Sequence, residues 1–446
     1  MRFRTVTALT GALALSLVSG CAQGDGSGSS RNTVSYWLWD ANQLPAYEAC
    51  AKGFEKRNPG LDVKISQMGW DDYWTKLTAS FIAGTEPDVF TDHIQKFGQF
   101  ADLKVLEPLD DLGIEDAAYQ PGLAASWLGE DGHRYGAPKD WDTVALFYNA
   151  KMAKDAGLSA EELNGLAWNP EDGGTFEKAV AHLTVDAKGR RGDEPGFDKD
   201  DVKVYGLATG GGGDGDGQTT WSHFAASAGW TYTDKKRWGT EYRYDDDTFQ
   251  SVIKWYFGLA DKGFMAPFTD YSPSNQANAQ VAAGKAATAF DGAWMISTYA
   301  GFKGLDVATA VNPAGPTGKR ATMMNGLADS VTKNADNKPG ALKWVKYLAS
   351  EECQRTVGGY GIVFPATPDG TEAAVAAYEK KGVDVSAFTR PVDDKKAFAT
   401  FTYPITDYAA DVLALMHPAM QDIYGGGKPV GGLDETNEQI NLILDQ

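Results

Sequence analysis

An alternation of strand and helix patterns limits the folds open to this chain more than any other part of its sequence. Residues 34–39, VSYWLW, form a β-rich apolar run, and a helical pattern follows from Ala46 to Arg57, where the letters NPG stop it. The next letters, LDVKI, alternate apolar and polar residues as a strand does. A strand, a helix and a second strand in this order predict a right-handed βαβ unit and a parallel sheet, and hence an α/β fold.

The same alternation recurs farther along the chain. A helical pattern over residues 72–83 precedes the letters PDVF, which begin a third strand, and an apolar helix or turn extends from there to Leu106. The run APKDWDTVALFYN at 137–149 is strand-like, and two helical stretches, 410–423 and 435–444, lie near the C-terminus. Because 446 residues are too many for one ordinary core, we expect two lobes.

The first residues predict export and a lipid anchor. They read MRFRTVTALTGALALSLVSGC, a basic start followed by an apolar run and small residues, which is typical of a signal peptide over residues 1–20. The apolar run is shorter than the roughly 20 residues that a helix needs to cross a bilayer. The letters VSGC resemble a bacterial lipobox, in which the sulfur of the cysteine, here Cys21, is acylated. Residues 21–33 include GDGSGSS and predict a flexible tether, so we expect a protein anchored on the extracytoplasmic face of the cell membrane.

The charge and the ligand-type residues exclude several kinds of site. A net charge of −19 argues against nucleic acid as a partner, because phosphate binding needs a basic face. The five histidines are not closely paired, and HExxH and CxxC motifs are missing, so we expect no metal site of the zinc type and no cofactor. Acidic residues leave calcium open in the 186–201 loop, although the EF-hand spacing is missing. The glycine tract from Gly210 to Gly217 lacks the Lys-Ser/Thr of a phosphate loop and is interpreted as a flexible loop near a ligand.

Two cysteines remain once Cys21 carries lipid. Cys50 and Cys353 both lie in helical patterns, and outside the cytoplasm such a pair can oxidise. The sequence leaves open a disulfide between them or two buried thiols. The spacing also predicts one continuous helix whose buried face carries Leu342, Val345, Ala349 and Cys353.

Tryptophan occurs repeatedly beside aspartate and amide residues in loops that follow predicted strands. The motifs are WLWDAN, MGWDDYW, PKDWD and FDGAW. Carbohydrates present apolar C–H faces and fixed hydroxyls, so their sites combine aromatic platforms with carboxylate and amide acceptors. Open α/β sheets bind ligands at the carboxyl ends of strands. We therefore expect Trp141 and Trp294 to be ligand contacts, and Trp255 and Trp344 to belong to the core.

The order of these motifs resembles the family 1 extracellular solute-binding proteins of ABC importers, the group that includes maltose-binding protein. The similar segments are FEKRNPGLDVKI, WDDYWTKLTASFIAGTEPDVF, HRYGAPKDWDTVALFYN, VAAGKAATAFDGAWM and KWVKYLASEECQ, spread over nearly the whole exported chain. The resemblance implies a two-lobe periplasmic-binding-protein type II fold, with a ligand cleft between the lobes and crossing hinge segments near Val144, Leu327 and Pro365. The N-lobe would comprise residues 34–144 plus 328–365, and the C-lobe residues 145–327 plus 366–446.

The resemblance also implies a ligand site at the loops that face the cleft. Lys139 and Trp141 could each contact the ligand or pack the hinge. Asp92 stands where maltose-binding protein has an aromatic residue, so maltose is not implied. The implied ligand-binding residues are Asp40, Asn42, Trp70, Asp71, Asp92, His93, Trp141, Asp142, Gln218, Asp291, Trp294 and Asn325.

The implied function is capture of a sugar, a di- or oligosaccharide, and its delivery by a monomer to the permease subunits of an ABC transporter, without catalysis. Two other readings stay open. The same role could serve a non-sugar solute such as a polyamine or a polyol, or the chain could be a secreted carbohydrate enzyme in which Asp140 and Asp142 act as acid and base.

Overall fold

The computed structural model describes residues 32–210, 215–272 and 274–446. The signal peptide, Cys21 and nearly all of the tether lie outside these residues. The strands are β1 (Thr33–Leu38), β2 (Asp62–Gln67), β3 (Val89–His93), β4 (Ala137–Asn149), β5 (Val185–Asp186), β6 (Val202–Leu207), β7 (Ala286–Gly292), β8 (Val307–Ala310), β9 (Arg320–Val331), β10 (Phe364–Pro365) and β11 (Phe398–Phe401).

Helices surround these strands, and none that the structure describes is long and apolar enough to cross a membrane. The helices are α1 (Leu44–Arg57), α2 (Trp70–Ala83), α3 (Ile94–Asp102), α4 (Ala150–Asp155), α5 (Ala160–Asn164), α6 (Gly174–Leu183), α7 (Ser222–Ser227), α8 (Asp247–Asp261), α9 (Ala277–Ala282), α10 (Ile296–Ala300), α11 (Lys338–Leu348), α12 (Glu351–Gly359), α13 (Pro368–Lys380), α14 (Ser386–Asp393), α15 (Ala409–Tyr424) and α16 (Leu433–Leu444). Short 3-10 helices include Ala124–Trp127 and Ala293–Met295.

The predicted βαβ unit is present at the start of the described chain. Strand β1 pairs in parallel with β2 and with β3. Helix α1 joins β1 to β2 and turns an apolar face, including Tyr47, Cys50 and Phe54, into the core. The helix begins two residues earlier than the sequence pattern predicts, because Pro45 occupies a first-turn position where its missing N–H costs nothing.

The strands form one connected sheet in the order β2-β1-β3-β9-β4-β7-β6-β5, with β8 and β10 also on β4 and β11 also on β9. We call the part around β1 to β3 the N-lobe and the part around β5 to β8 the C-lobe. Strand β4 is buried along its whole length although its first half carries the charged letters KDWD, and only its second half, VALFY, is an apolar run.

Strand β4 changes partners along its length. Its first half, through Thr143, pairs with β9, and from Val144 it pairs with β7 and β8. Strand β10 pairs with the same strand at Trp141 and Asp140. These partner changes lie where the crossing segments are predicted, near Val144 and Pro365, whereas the residue boundaries of the two lobes stay a prediction.

The predicted single helix around Cys353 is wrong. Helix α11 ends at Leu348 and α12 begins at Glu351. Ser350 causes the break, because its side chain accepts a hydrogen bond from the Cys353 N–H and caps the new helix. The structure joins Cys353 to Cys50 by a disulfide with a Cα–Cα distance of 5.4 Å, which is one of the two states that the sequence left open.

Candidate functional site

An aromatic cluster lies on the N-lobe at the ends of β1 and β3 and the start of α2. The Trp39 ring lies 5.1 Å from the Trp70 ring and 5.3 Å from the Trp74 ring, measured between centroids. His93, the last residue of β3, lies 5.4 Å from Trp70. Trp70 is 41% exposed although its neighbours are largely covered. An exposed indole held by other rings offers a fixed apolar face to a ligand.

His93, Asp142 and Asn325 form a polar floor beside this cluster. Asp142 on β4 and Asn325 on β9 are directly paired across the two strands. Asn325 Nδ2 lies 3.0 Å from His93 Nε2, and His93 Nδ1 accepts a hydrogen bond of 3.2 Å from the Gln95 N–H. The predicted residues His93, Asp142 and Asn325 are thus brought together by three neighbouring strands.

The protonation states of the floor follow from its burial. Burial, with help from the charge of Lys96, lowers the pKa of His93 to about 3, so the ring is neutral and has a single N–H. Because Nδ1 accepts from Gln95, that hydrogen is on Nε2, and the Asn325 amide must turn its oxygen toward His93. Burial and the charge of Asp140 raise the pKa of Asp142 well above its ordinary value, so Asp142 favours its protonated form.

Within the described residues, two polar atoms of this floor are buried without a hydrogen-bond partner. Asp142 Oδ1 has no hydrogen-bond partner within the described residues, and the same holds for the Asn325 amide atom that faces away from His93. With the amide turned as above, that atom is the NH₂ group, which is a donor. The floor therefore offers an amide donor beside a carboxyl oxygen, and a hydroxyl group can both accept and donate.

The C-lobe contributes a second wall at the end of β7. Gly292 pairs with Val144, which places this end beside the point where β4 changes partners. The Trp294 ring folds back over Gly292 so closely that a Cβ there would lie 1.9 Å from the ring. Asp291 accepts hydrogen bonds from the Gly292 N–H at 2.9 Å and the Tyr299 hydroxyl at 3.2 Å. Burial raises the pKa of Asp291 to about 7.

Contacts between the lobes gather around Asp216, a residue that no motif in the sequence marks. The Gln95 side chain of α3 donates to its Oδ2, and the Gln218 N–H donates to its Oδ1 at 3.2 Å. Burial raises the pKa of Asp216, and the Gln218 hydrogen bond and the charge of Lys96 oppose this rise. Asp216 lies in the glycine tract that we expected near a ligand. The composition of that tract could not show which of its aspartates is buried.

The other predicted site residues in the N-lobe loops differ in how far they are exposed to solvent. Asp40 is half-buried and its Oδ1 accepts a hydrogen bond of 2.8 Å from the exposed Asn42 N–H. Asp71 is exposed in the first turn of α2. Asp92 is fully buried and accepts from the His93 N–H, so it lies beneath the site rather than at its surface. Trp39 and Gln95 were also missed, although WLWDAN already pointed to Trp39.

Trp141 is enclosed in this structure, which favours packing at the crossing over a ligand contact, although its role at the site stays a prediction. It is 1% exposed and stacks on Phe364 of β10 with 4.9 Å between ring centroids. Its Nε1 donates to Thr371 Oγ1 at 3.0 Å. Lys139 is equally enclosed, with Nζ bonded to Gln43 and at 3.0 Å from Asp140. Lys139 and Trp141 therefore pack at the crossing, which is one of the two roles that the sequence left open. Trp255 and Trp344 are core residues, as predicted.

The 186–201 loop is organised around hydrogen bonds to one carboxylate. Asp186 accepts from the backbone N–H groups of Lys188, Arg190 and Asp198 and from Arg190 Nε at 2.8 Å. Asp198 is paired with Lys188 at 3.3 Å. These partners occupy carboxylate oxygens of Asp186 and Asp198. No group of three or more metal-ligating side chains occurs in the part of the chain that the structure describes.

Comparisons with known proteins agree with this architecture. A family model described as bacterial extracellular solute-binding protein matches residues 40–355. A putative binding protein of Brucella abortus is 26% identical over 438 residues, covering 94% of each chain. A maltodextrin-binding protein of Bacillus subtilis is 26% identical over 406 residues, covering 89% of this chain and 86% of that protein.

Solved structures confirm the predicted two-lobe fold. An ABC substrate-binding protein from Listeria monocytogenes, determined in complex with cycloalternan, superposes with a TM-score of 0.76 at 18% identity. The match covers 93% of this chain and 99% of that one.

Proposed function

The chain belongs to the bacterial extracellular solute-binding proteins, and from this we propose that it captures a sugar, a di- or oligosaccharide, between its lobes and delivers it to the permease of an ABC transporter. The bound sugar would lie against Trp70 on one side and Trp294 on the other, above the floor of His93, Asp142 and Asn325.

The floor is the observation that carries this proposal. Asp142 Oδ1 and the outward amide atom of Asn325 are buried without partners in the described chain, and leaving buried polar groups unpaired costs free energy. A carboxyl oxygen beside an amide donor fits a sugar hydroxyl, which accepts one hydrogen bond and donates another. The exposed Trp70 ring alongside suits the apolar face of a sugar ring.

Relatives support the sugar as the ligand class. The Bacillus relative of similar length is a maltodextrin-binding protein, and the Listeria structure contains cycloalternan. Asp92 is buried at the position where maltose-binding protein has an aromatic residue, so we do not extend the proposal to maltose itself.

The mechanism we propose is capture by lobe closure. Contacts drawn from both lobes bind the closed form more tightly than the open form, and this differential affinity shifts the hinge equilibrium. No bond is made or broken. Asp140, the partner that an acid–base pair would need, is 1% exposed and forms an ion pair with Lys139, which disfavours the enzyme reading.

A thermal-shift screen tests the ligand class. Mono-, di- and trisaccharides are compared with polyamines and polyols, because a ligand that binds only the folded protein raises its melting temperature. We expect stabilisation by at least one di- or trisaccharide. Stabilisation by a polyamine alone would replace the sugar with a cation, which the several acids of the cleft also allow.

We further propose that Cys21 carries the lipid that holds the protein at the outer face of the membrane. The support is the lipobox-like VSGC after an apolar run and the Gly/Ser tether that follows it. Labelling with palmitate in cells should be lost in Cys21→Ala, and labelling that persists would refute the anchor.

A further inference from the structure

The first and third crossing segments meet at one side chain, Gln354 of α12. Gln354 Nε2 donates to the Lys139 carbonyl at 3.1 Å, and its Oε1 accepts from the Thr367 N–H at 3.2 Å. A third hydrogen bond, also 3.1 Å, goes to the Leu348 carbonyl at the end of α11. The residue is 2% exposed. One buried amide thus bonds to β4 just before it crosses and to the chain just after β10.

The Lys139 carbonyl is free to accept from Gln354 because β4 is irregular at this point. The register of β4 against β9 shifts between Pro138 and Asp140. Such an irregularity leaves a residue outside the regular ladder. The same carbonyl also accepts from the Ala366 N–H at 3.1 Å. The two crossing segments are therefore joined both directly and through Gln354.

The helix that carries Gln354 is tied to the rest of the N-lobe by the disulfide. Cys353, the preceding residue, is bonded to Cys50 in the middle of α1. The residue before α1, Gln43, accepts from Lys139 Nζ through its side chain. Lys139 of β4 is therefore hydrogen-bonded both to Gln43, at the start of α1, and to Gln354 of α12. The disulfide between α1 and α12 fixes the separation of these two helices.

We propose that Gln354 is a positioning residue for lobe movement, which holds the first and third crossing segments together while the Cys50–Cys353 disulfide fixes its helix. This inference rests on the proposed capture by lobe closure. Lobe rotation must be absorbed by the backbone of the crossing segments. A buried amide shared by two of them restricts the rotations available and so keeps more of the population near the binding-competent arrangement.

The test compares Gln354→Leu with Asn337→Leu in the full exported chain without ligand. Asn337 is also a buried N-lobe amide, and within the described part of the chain its side chain bonds to the Thr33 carbonyl and the Gly340 N–H rather than to a crossing segment. Hydrogen exchange should become about tenfold faster in peptides covering 137–143 and 364–371 only in Gln354→Leu, as expected for one lost hydrogen bond.

Lobe position is measured in the same variants with spin labels at the exposed Thr75 of α2 and Glu171 of the C-lobe. The distance distribution should broaden in Gln354→Leu and stay unchanged in Asn337→Leu. Equal broadening in both, or unchanged exchange at the crossing segments, would overturn the inference.

Two further variants keep the test decisive if Gln354→Leu does not fold. Gln354→Glu retains an acceptor for the Thr367 N–H but loses the donor to the Lys139 carbonyl, so we expect faster exchange mainly in 137–143. The Cys50→Ala, Cys353→Ala double variant should loosen both segments, and protected segments in both variants would contradict the proposal. Because none of these measurements uses a sugar, failure of the saccharide screen and failure of this inference are distinguishable.

Discussion

Replacing Trp70 by alanine should weaken sugar binding about eightfold with little effect on the rest of the cleft. The side chain is 41% exposed, and a tryptophan presents up to about 250 Å², so about 100 Å² can be covered by a ligand. A sugar ring on one face covers about half of that area. At about 25 cal/mol per Å² the loss is about 1.2 kcal/mol, which is about eightfold in Kd.

Isothermal titration calorimetry with the best saccharide of the thermal-shift screen measures this change. The matched control is Ile82→Ala, because Ile82 lies at the other end of the same helix, α2, and is 87% exposed. The Kd of the control should lie within about twofold of the Kd of the unmodified protein, because the Ile82 side chain lies outside the cleft and does not contact the ligand. Unchanged affinity in Trp70→Ala, or equal weakening in Ile82→Ala, would refute the stacking argument.

Four other changes have defined outcomes. Trp294→Ala should raise the Kd for the same saccharide about tenfold by removing the opposite aromatic face; calorimetry that shows no change would remove Trp294 from the site. Burial lowers the pKa of His223 to about 3, so the stability that the neutral ring contributes is present above pH 6.5 and is lost as the pH falls toward 3. In urea titrations over this pH window, the unfolding free energy of His223→Phe should therefore fall by about 1.4 kcal/mol less per pH unit than that of the unmodified protein. The raised pKa of Asp142 has the opposite sign, because stability is lost as the pH rises above the ordinary carboxyl value of 3.8, so the gain in unfolding free energy of Asp142→Asn should grow as the pH is raised from that value. Removing the disulfide in the Cys50→Ala, Cys353→Ala variant, which opens a link spanning 303 residues, should lower the free energy of unfolding by about 2–5 kcal/mol, and a smaller loss would show that the bond constrains little.

Periodicity predicted the parts of the fold that depend on local pattern. The βαβ unit, the long strand ending at Asn149 and the two C-terminal helices are all present within a few residues of their predicted bounds. Strand β4 was recognisable because its second half, VALFY, is a buried apolar run that ends at Asn149. The break at Ser350 was missed because a capping serine inside an otherwise regular helical pattern competes with the helix only through its side-chain geometry.

Site residues were harder to predict than elements because their roles depend on which way a side chain turns. Trp141 and Trp294 have similar acidic neighbours in the sequence, yet β10 covers Trp141 whereas Trp294 stays half-buried at the end of β7. Asp216 and Gln95 meet only because α3 and the glycine-tract loop approach each other in space. Such contacts between distant segments leave no periodic pattern in the sequence.

A crystal structure of the protein with the saccharide from the screen would show whether the sugar binds between the lobes. We expect density for a sugar ring against Trp70, with a hydroxyl bonded to Asp142 and to the Asn325 amide. Density that instead occupies the groove of about 1000 Å³ between α8 and the α15–α16 connection, with the interlobe site empty, would contradict binding between the lobes.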